Sequence, residues 1–157
     1  MKNLAEKILQ KLRDKKYTIA TAESCTGGGI AYTLTDIAGC SDVVDRGFVT
    51  YSNQAKMDML GVSSISLKQY GAVSQEVAIE MAEGAKKNGK VDIAVSVTGI
   101  AGPGGASDKK PVGLVHLAVA TAKNTLHEKH IFAGNRTEIR NQTIETALNM
   151  VMQAISK

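Results

Sequence analysis

A serine at a predicted strand-to-helix junction is the residue of this 157-residue chain best placed to do chemistry. Residues 17–23 are rich in β-branched residues and alternate as a strand does, and an apolar pattern with helical spacing follows Gly29. Ser24 lies between the two, in the run Ser-Cys-Thr-Gly-Gly-Gly. Its hydroxyl is therefore expected beside backbone N–H groups that a helix start leaves unpaired. Such a point suits an anion, or the oxyanion of an acyl-transfer intermediate.

A simpler role for Ser24 is that of a helix N-cap, which is the commonest role of serine at the start of a helix. The local pattern alone favours the cap, because the predicted helix begins at this residue and runs to about Asp36. A nucleophilic role needs a base that can take the proton of the hydroxyl. The choice between cap and nucleophile therefore depends on the rest of the chain.

The candidate base is Lys56, which follows a predicted strand ending at Tyr51. A lysine accepts a proton only when it is neutral, so burial or cationic neighbours must lower its pKa from about 10.4 to about 7–8. The alternative is that Lys56 lies on a solvated helix face and that Tyr51 covers the core. Both interpretations remain open on the residues alone.

The histidines do not offer a conventional triad. His116, His127 and His130 lie on a predicted hairpin, where His127 and His130, three residues apart, point to opposite faces of a strand. His116 is interpreted as a satisfied core or surface residue. No group of His, Asp or Glu residues has the spacing of metal ligands, so we predict no metal site.

A second glycine-rich segment, Thr98-Gly99-Ile100-Ala101-Gly102-Pro103-Gly104-Gly105, follows a predicted buried strand. Ligands of open α/β sheets bind beyond the carboxyl ends of strands, which is where this segment begins. It matches neither a Walker loop nor the GxGxxG fingerprint, and a strand rather than a helix follows it. The segment is either a long turn or a nest of backbone N–H groups for a phosphate, with Lys109 and Lys110 nearby.

Helices and strands alternate along the chain without a linker or an internal repeat. The predicted helices cover about 4–12, 24–36, 53–60, 67–70, 74–87 and 136–156, and the predicted strands about 17–21, 43–51, 91–98, 112–120 and 126–132. The last two strands are predicted to form a hairpin through Lys123-Asn124. Helices interleaved with strands, together with a late hairpin, predict an α/β fold: a three-layer α/β/α sandwich on a mixed β-sheet, in a single domain over 1–157.

Composition narrows the classes of function. The net charge is only +4, the lysines are scattered, and 4% of the residues are aromatic, so no nucleic-acid partner is predicted. The two cysteines lie outside any metal-like or CxxC spacing, which indicates a reduced, cytoplasmic setting. The charged amphipathic N-terminus is not a signal peptide, and no apolar run is long enough to cross a membrane.

Several blocks of this sequence resemble the carboxy-terminal domain of the competence-damage-inducible CinA proteins. The blocks are TAESCTGGGIAYTLTDIAG, VTYSNQAKMDMLGV, GAVSQEVAIEMAEGA, TGIAGPGG, KPVGLVHLA and GNRTEIR. They occur in order over nearly the whole chain, which leaves no room for the amino-terminal molybdopterin-binding-like domain of full-length CinA. The chain thus resembles the stand-alone form. One departure is Ala38, where the family often has proline, and it is remote from the reactive groups.

The resemblance implies a nicotinamide-nucleotide amidase that converts nicotinamide mononucleotide to nicotinate mononucleotide and ammonia. It implies a serine nucleophile assisted by a lysine and a tyrosine, which correspond here to Ser24, Lys56 and Tyr51. In this mechanism Lys56 is the general base, and Tyr51 relays the proton or holds the lysine. It further implies no cofactor and a homodimer.

The predicted substrate-binding residues fall into two groups. The N–H groups of Cys25, Thr26 and Gly27 are expected to remain available to an oxyanion. The residues expected to hold the ribose phosphate are Thr98, Gly99, Ala101, Gly102, Gly104, Arg136 and Arg140.

Some roles stay open at this point. Arg136 and Arg140 bind the phosphate through their positive charge, or they form ion pairs with Glu138, Asp42 or Asp45. Glu23 orients Lys56, or it stabilises the start of the following helix through the helix dipole.

A second function class also remains. The chain would then bind a nucleotide or phosphate without turnover, as a regulatory module linked to competence or the DNA-damage response. The joint presence of Ser24, Tyr51 and Lys56 argues for the enzyme.

Overall fold

The computed structural model describes residues 1–157, which form six α-helices, five β-strands and one short 3-10 turn. The helices are α1 (Lys2–Lys15), α2 (Gly29–Thr35), α3 (Asn53–Leu60), α4 (Ser64–Tyr70), α5 (Gln75–Gly89) and α6 (Arg136–Ser156). The strands are β1 (Ile19–Glu23), β2 (Val44–Val49), β3 (Ile93–Gly99), β4 (Leu114–Ala120) and β5 (Thr125–Ile131), and the 3-10 turn is Cys40–Asp42.

The five strands form one mixed sheet in the order β2-β1-β3-β4-β5. β1 pairs in parallel with β2 and with β3, whereas β4 runs antiparallel to β3 and to β5. The parallel pairs need helical crossovers, and the antiparallel pair β4–β5 needs only the short turn that follows Ala120. The predicted mixed sheet with a late hairpin is confirmed.

Helices cover both faces of the sheet because alternate strand residues point to opposite sides. On one face, Ile19 and Val95 pack with Leu9 of α1 and Leu148 of α6 in the larger apolar cluster. On the other face, a smaller cluster joins the strands to α3 and α5. Its members include Ala20, Ala22, Ala94, Leu60 and Met81. The predicted three-layer α/β/α arrangement is therefore confirmed.

Several predicted boundaries were wrong by a few residues. The helix expected from Ser24 begins only at Gly29, because Gly27 and Gly28 have φ values of 60° and 98°, outside the helical region. The strand expected to reach Tyr51 ends at Val49. Helix starts with a polar cap were easier to predict, as at Ser74, whose side chain accepts a hydrogen bond from the backbone N–H of Val77.

None of the helices combines the length and apolar character that a membrane crossing requires.

Candidate active site

Ser24 lies at the carboxyl end of β1, between the ends of β2 and β3. Its backbone N–H donates to the carbonyl of Val97, and the N–H of Thr50 donates to the carbonyl of Glu23. In open α/β sheets this edge is where ligands bind. Ser24, the first residue after the central parallel strand, therefore lies at the edge of the sheet where a ligand site is expected.

α3 brings Lys56 to Ser24 from the side of the sheet that α5 covers. Ser52 caps α3 by accepting a hydrogen bond from Ala55 N–H, and Lys56 follows in the first turns. The Lys56 side chain is 1% exposed, and its Nζ lies 3.1 Å from Ser24 Oγ. The same nitrogen donates to the carbonyl of Thr50 at 2.7 Å and approaches that of Tyr51 at 3.4 Å. The alternative of a solvated Lys56 is wrong.

This geometry suits a neutral amine. Burial lowers the pKa of Lys56, since taking an ammonium out of water disfavours the charged form. No carboxylate forms a salt bridge with Lys56 to reverse that effect. A neutral amine has two N–H groups and one lone pair. Two backbone carbonyls face the N–H groups, which leaves the lone pair for the hydroxyl proton of Ser24.

Glu23 caps α2 and does not contact Lys56. Its buried carboxylate accepts hydrogen bonds from the backbone N–H groups of Ile30 at 2.8 Å and Ala31 at 3.0 Å. The Thr26 hydroxyl donates to it at 2.6 Å. The interpretation that Glu23 orients Lys56 is therefore wrong, and the helix-start role is the observed one. Ser24 is not an N-cap, because the cap position of α2 is Gly28.

The backbone between Ser24 and α2 leaves three N–H groups free. Those of Cys25, Thr26 and Gly28 have no hydrogen-bond partner within the protein, whereas that of Gly27 donates to the carbonyl of Ser24 at 3.1 Å. The expectation that the Gly27 N–H is available was therefore wrong. Burial raises the pKa of the Cys25 thiol to about 11, so this neighbour of Ser24 stays protonated at neutral pH.

Arg140 holds this loop from the far end of the chain. Its Nε donates to the carbonyl of Cys25 at 3.1 Å, and a terminal nitrogen donates to that of Thr26 at 2.9 Å. Because a trans peptide is planar, fixing the Cys25 carbonyl turns the Thr26 N–H to the opposite side. Arg140 thus sets the direction of a free N–H group beside Ser24.

Tyr51 and Arg136 meet at the mouth of the site. The Tyr51 side chain is 61% exposed, and its hydroxyl accepts a hydrogen bond from Arg136 at 3.0 Å. Arg136 also donates to the carbonyl of Gly102 at 2.7 Å. Tyr51 therefore reaches Lys56 through its carbonyl and not through its hydroxyl. The alternative that Tyr51 covers the core is wrong.

The ion pairs considered for the two arginines do not form. Asp42 pairs with Arg13, Asp45 pairs with Arg46, and the Glu138 carboxylate accepts the N–H of Asn135 in a capping box.

The segment after β3 forms a loop anchored at one end. Ile100 exchanges hydrogen bonds with Leu114 and Gly113, which ties the loop to the start of β4. Beyond Ile100, the N–H groups of three predicted binding residues have no partner within the protein; they are Ala101, Gly102 and Gly104. The Thr98 hydroxyl donates to the carbonyl of Ala72, and Gly99 lies within β3. Free N–H groups in one loop are the feature that an anion nest needs.

Comparison with known proteins identifies the family to which this chain belongs. The profile described as the CinA C-terminal domain matches residues 1–155. The chain belongs to the CinA C-terminal domain family. The predicted resemblance is thereby confirmed.

Relatives of this CinA C-terminal domain are of two lengths. A putative competence-damage inducible protein of Acetivibrio thermocellus is 53% identical over 93% of this chain, which spans 35% of that protein. The nicotinamide-nucleotide amidohydrolase PncC of Escherichia coli is 49% identical over 96% of this chain and 92% of that protein. The crystal structure of the competence/damage inducible protein CihA of Agrobacterium tumefaciens has a TM-score of 0.96 and 51% identity, covering 99% of this chain and 95% of that chain.

Sequence reasoning missed two features of this CinA C-terminal domain. The first is Thr50, which is fully buried and whose carbonyl holds Lys56. No signal distinguished it from an ordinary strand threonine. The second is a contact between His116 and His127, whose ring nitrogens lie 2.9 Å apart. Burial lowers the pKa of His116 to about 4, so it is neutral and satisfied, consistent with the interpretation from sequence.

Proposed function

We propose that this chain hydrolyses the carboxamide of nicotinamide mononucleotide, giving nicotinate mononucleotide and ammonia. The observation that carries the proposal is the 3.1 Å approach of a buried lysine amine to Ser24 Oγ. A serine beside a neutral amine is an activated nucleophile for acyl transfer. The substrate is inferred from the amidohydrolase of similar length, of which this chain covers 92%.

The proposed reaction has two halves. The lone pair of Lys56 takes the proton of Ser24 as Oγ attacks the carboxamide carbon, and the N–H groups of Cys25 and Thr26 stabilise the resulting oxyanion. The Lys56 ammonium then returns the proton to the leaving nitrogen, and ammonia departs. A water molecule gives a proton to Lys56, attacks the nicotinoyl ester and releases the acid, and the proton returns to Ser24 Oγ.

The remaining predicted residues are proposed to bind the substrate or to position the groups that react with it. The carbonyl of Tyr51 helps to hold the Lys56 amine, and its hydroxyl positions Arg136. Arg136 and the free N–H groups of the loop that follows Thr98 and Gly99 form the proposed phosphate site. Arg140 has a different proposed role, because two carbonyls already occupy its guanidinium. It orients the loop that holds the oxyanion.

Replacing the nucleophile tests the proposal. Ser24→Ala is expected to lower ammonia release from nicotinamide mononucleotide about a thousandfold or more, because the covalent step is lost. Calorimetry is expected to show that the variant still binds the nucleotide. Ser156→Ala, at the exposed end of α6, is the matched control and should match the wild type. Unchanged turnover by Ser24→Ala would contradict the nucleophile.

The same experiment separates the enzyme from the regulatory module. A wild-type protein that binds the nucleotide and releases no ammonia would favour the non-catalytic role.

We further propose that the chain acts as a homodimer, as the family resemblance implies. Two large exposed side chains on neighbouring elements support this: Tyr32 on α2 is 72% exposed, and Val49 on the edge strand β2 is 46% exposed.

A further inference from the structure

One buried hydroxyl in this protein has no hydrogen-bond partner. Thr50 is fully buried, and its Oγ1 is the only buried side-chain nitrogen or oxygen without a partner within the protein. Other buried hydroxyls are satisfied, as Thr143 shows by donating to the carbonyl of Ile139. Leaving a buried hydroxyl unpaired destabilises the folded protein, so the presence of a threonine at this position needs an explanation.

The residue that carries the unpaired hydroxyl is the cross-strand neighbour of Ser24. The N–H of Thr50 donates to the carbonyl of Glu23, which continues the pairing of β2 with β1 by one residue. Ser24 is therefore the neighbour of Thr50 across the two strands. Phe48 and Ala22, two residues earlier on each strand, both pack against the cluster on the α5 side. If the alternation continues for one residue beyond each strand, the side chains of Thr50 and Ser24 point to that same side.

Lys56 contacts both Thr50 and Ser24. Its Nζ lies 2.7 Å from the carbonyl of Thr50 and 3.1 Å from Ser24 Oγ. Thr50 therefore contributes its carbonyl to the base, while its hydroxyl proton remains unused in the resting protein. In the proposed mechanism the free N–H groups of Cys25 and Thr26 bind the substrate oxygen, so they do not stabilise Oγ itself.

An unused donor next to a group that becomes charged favours the transition state. A hydrogen bond present equally in the resting and activated states does not accelerate the chemical step, whereas one that forms only as charge develops does. Ser24 Oγ gains partial negative charge as its proton moves to Lys56, before its bond to the carboxamide carbon is complete. A hydroxyl that is unpaired before this step and bonded during it would stabilise the charged oxygen selectively.

We propose that Thr50 Oγ1 donates a hydrogen bond to Ser24 Oγ as that oxygen loses its proton to Lys56. No covalent bond to Thr50 forms or breaks, and the Thr50 proton stays on its own oxygen. The inference rests on the proposed function only in taking Ser24 and Lys56 as the nucleophile and base of an acyl transfer. It adds Thr50 as a catalytic residue that contacts a reacting atom.

The test compares Thr50→Val with Thr50→Ser. Valine keeps the shape and removes the donor, so kcat for nicotinamide mononucleotide is expected to fall about tenfold or more with little change in KM, in the direction seen when a transition-state donor is removed. The melting temperature should stay the same or rise, because no resting hydrogen bond is lost and an unpaired polar group is removed. Thr50→Ser should restore kcat to within about twofold of the wild type.

Thr143→Val on α6 is the matched control for a buried threonine. It removes a hydroxyl that has a partner, so it should leave kcat unchanged and should not raise the melting temperature. A Thr50→Val protein with unchanged kcat, or with a change confined to KM, would overturn the proposal.

A second readout does not depend on the natural substrate. A serine-reactive fluorophosphonate is expected to label Ser24, and intact-protein mass spectrometry gives the rate. Thr50→Val should slow labelling about tenfold, while Thr143→Val should not. Slower labelling in Thr50→Val, together with a wild type inactive on the mononucleotide, would refute the proposed substrate and support the role of Thr50. Equal labelling rates in Thr50→Val and the wild type would overturn that role.

Discussion

At the scale of single residues, the site depends on one lysine held without a counter-ion. Lys56 is 1% exposed, and its amine contacts a hydroxyl and two backbone carbonyls rather than a carboxylate. Carbonyl oxygens satisfy N–H groups without supplying a full negative charge. The burial of the side chain therefore lowers its pKa, which is the condition for acting as a base.

Replacing Lys56 by Met tests this protonation state through stability. A lowered folded-state pKa means that the unfolded chain binds more protons than the folded one up to the ordinary lysine pKa of about 10.4. In the wild type, the lowered pKa of Lys56 therefore makes the free energy of unfolding rise with pH. Lys56→Met lacks this rise. The stability of the variant relative to the wild type should fall as pH rises from the lowered folded-state pKa toward the ordinary lysine pKa of about 10.4, measured by urea unfolding.

Lys87→Met is the control, since Lys87 lies exposed on α5. Its stability relative to the wild type should not change with pH in this way. A flat difference for Lys56→Met would show that Lys56 is charged in the folded protein. Ammonia release by Lys56→Met is expected to fall about a thousandfold or more, since the base is lost.

The sequence predicted this pair only with help from the family pattern. Ser24 looked like a cap and Lys56 like a surface residue, because local spacing says nothing about two side chains 32 residues apart. Thr50 and the carbonyl contacts of Lys56 gave no sequence signal at all. Their roles arise from the register of β1 with β2, which positions backbone groups rather than side-chain types.

At the scale of elements, the position of Lys56 depends on how closely α3 approaches α5. A Cβ added at Gly84 of α5 would overlap the backbone carbonyl of Leu60, the last residue of α3. Only glycine permits this contact. The helix that carries Lys56 is therefore positioned by a glycine on a neighbouring helix.

Gly84→Ala is expected to push α3 outward and move Lys56 away from Ser24. Overpacking of this kind costs about 1–3 kcal/mol of unfolding free energy, and misplacing a catalytic group lowers kcat by about tenfold or more. Urea unfolding and ammonia release measure the two effects.

Gly89→Ala, in the same helix, is the matched control. A Cβ at Gly89 meets its nearest neighbours at 3.5–3.6 Å, which is ordinary van der Waals contact. That variant should keep wild-type kcat and should lose no stability, because alanine favours a helix by up to about 1 kcal/mol over glycine. Equal behaviour of the two alanine variants would refute the role given to Gly84.

Element types were easier to predict than element starts. Apolar spacing predicted α5 and α6 to within one or two residues, and the capping residue Ser74 marked the start of α5. The start of α2 was misplaced by five residues. Its cap is the buried carboxylate of Glu23 from the preceding strand, and no local sequence motif indicates that contact.

At the scale of the whole molecule, the site is assembled from distant parts of the chain. Arg140 on the last helix fixes carbonyls 114 and 115 residues earlier, beside Ser24. Arg136 bridges the loop after β3 to the loop after β2. Three parallel strands bring these loops to one edge of the sheet, where Ser24 lies.

The proposed homodimer is tested by mass in solution. Light scattering after size-exclusion chromatography is expected to give twice the monomer mass of 16.6 kDa. Tyr32→Glu should reduce the mass to that of the monomer, because a charge would enter an apolar contact beside β2. Ile65→Glu, an equally exposed site on α4, is the control. A monomeric wild type would refute the dimer, and a dimeric Tyr32→Glu would exclude this side as the interface.

The sequence by itself determined the classes of structure and the residue types available for chemistry. Periodicity and turn residues dictated alternating helices and strands, a mixed sheet and a late hairpin, since these depend on local steric and hydrophobic rules. The serine, the lysine and the glycine-rich segments were likewise visible in the chain. Only the tertiary structure decided which of them meet. The protonation state of Lys56, the cap on α2 and the unpaired hydroxyl of Thr50 depend on burial and strand register, which are long-range properties of the packed fold.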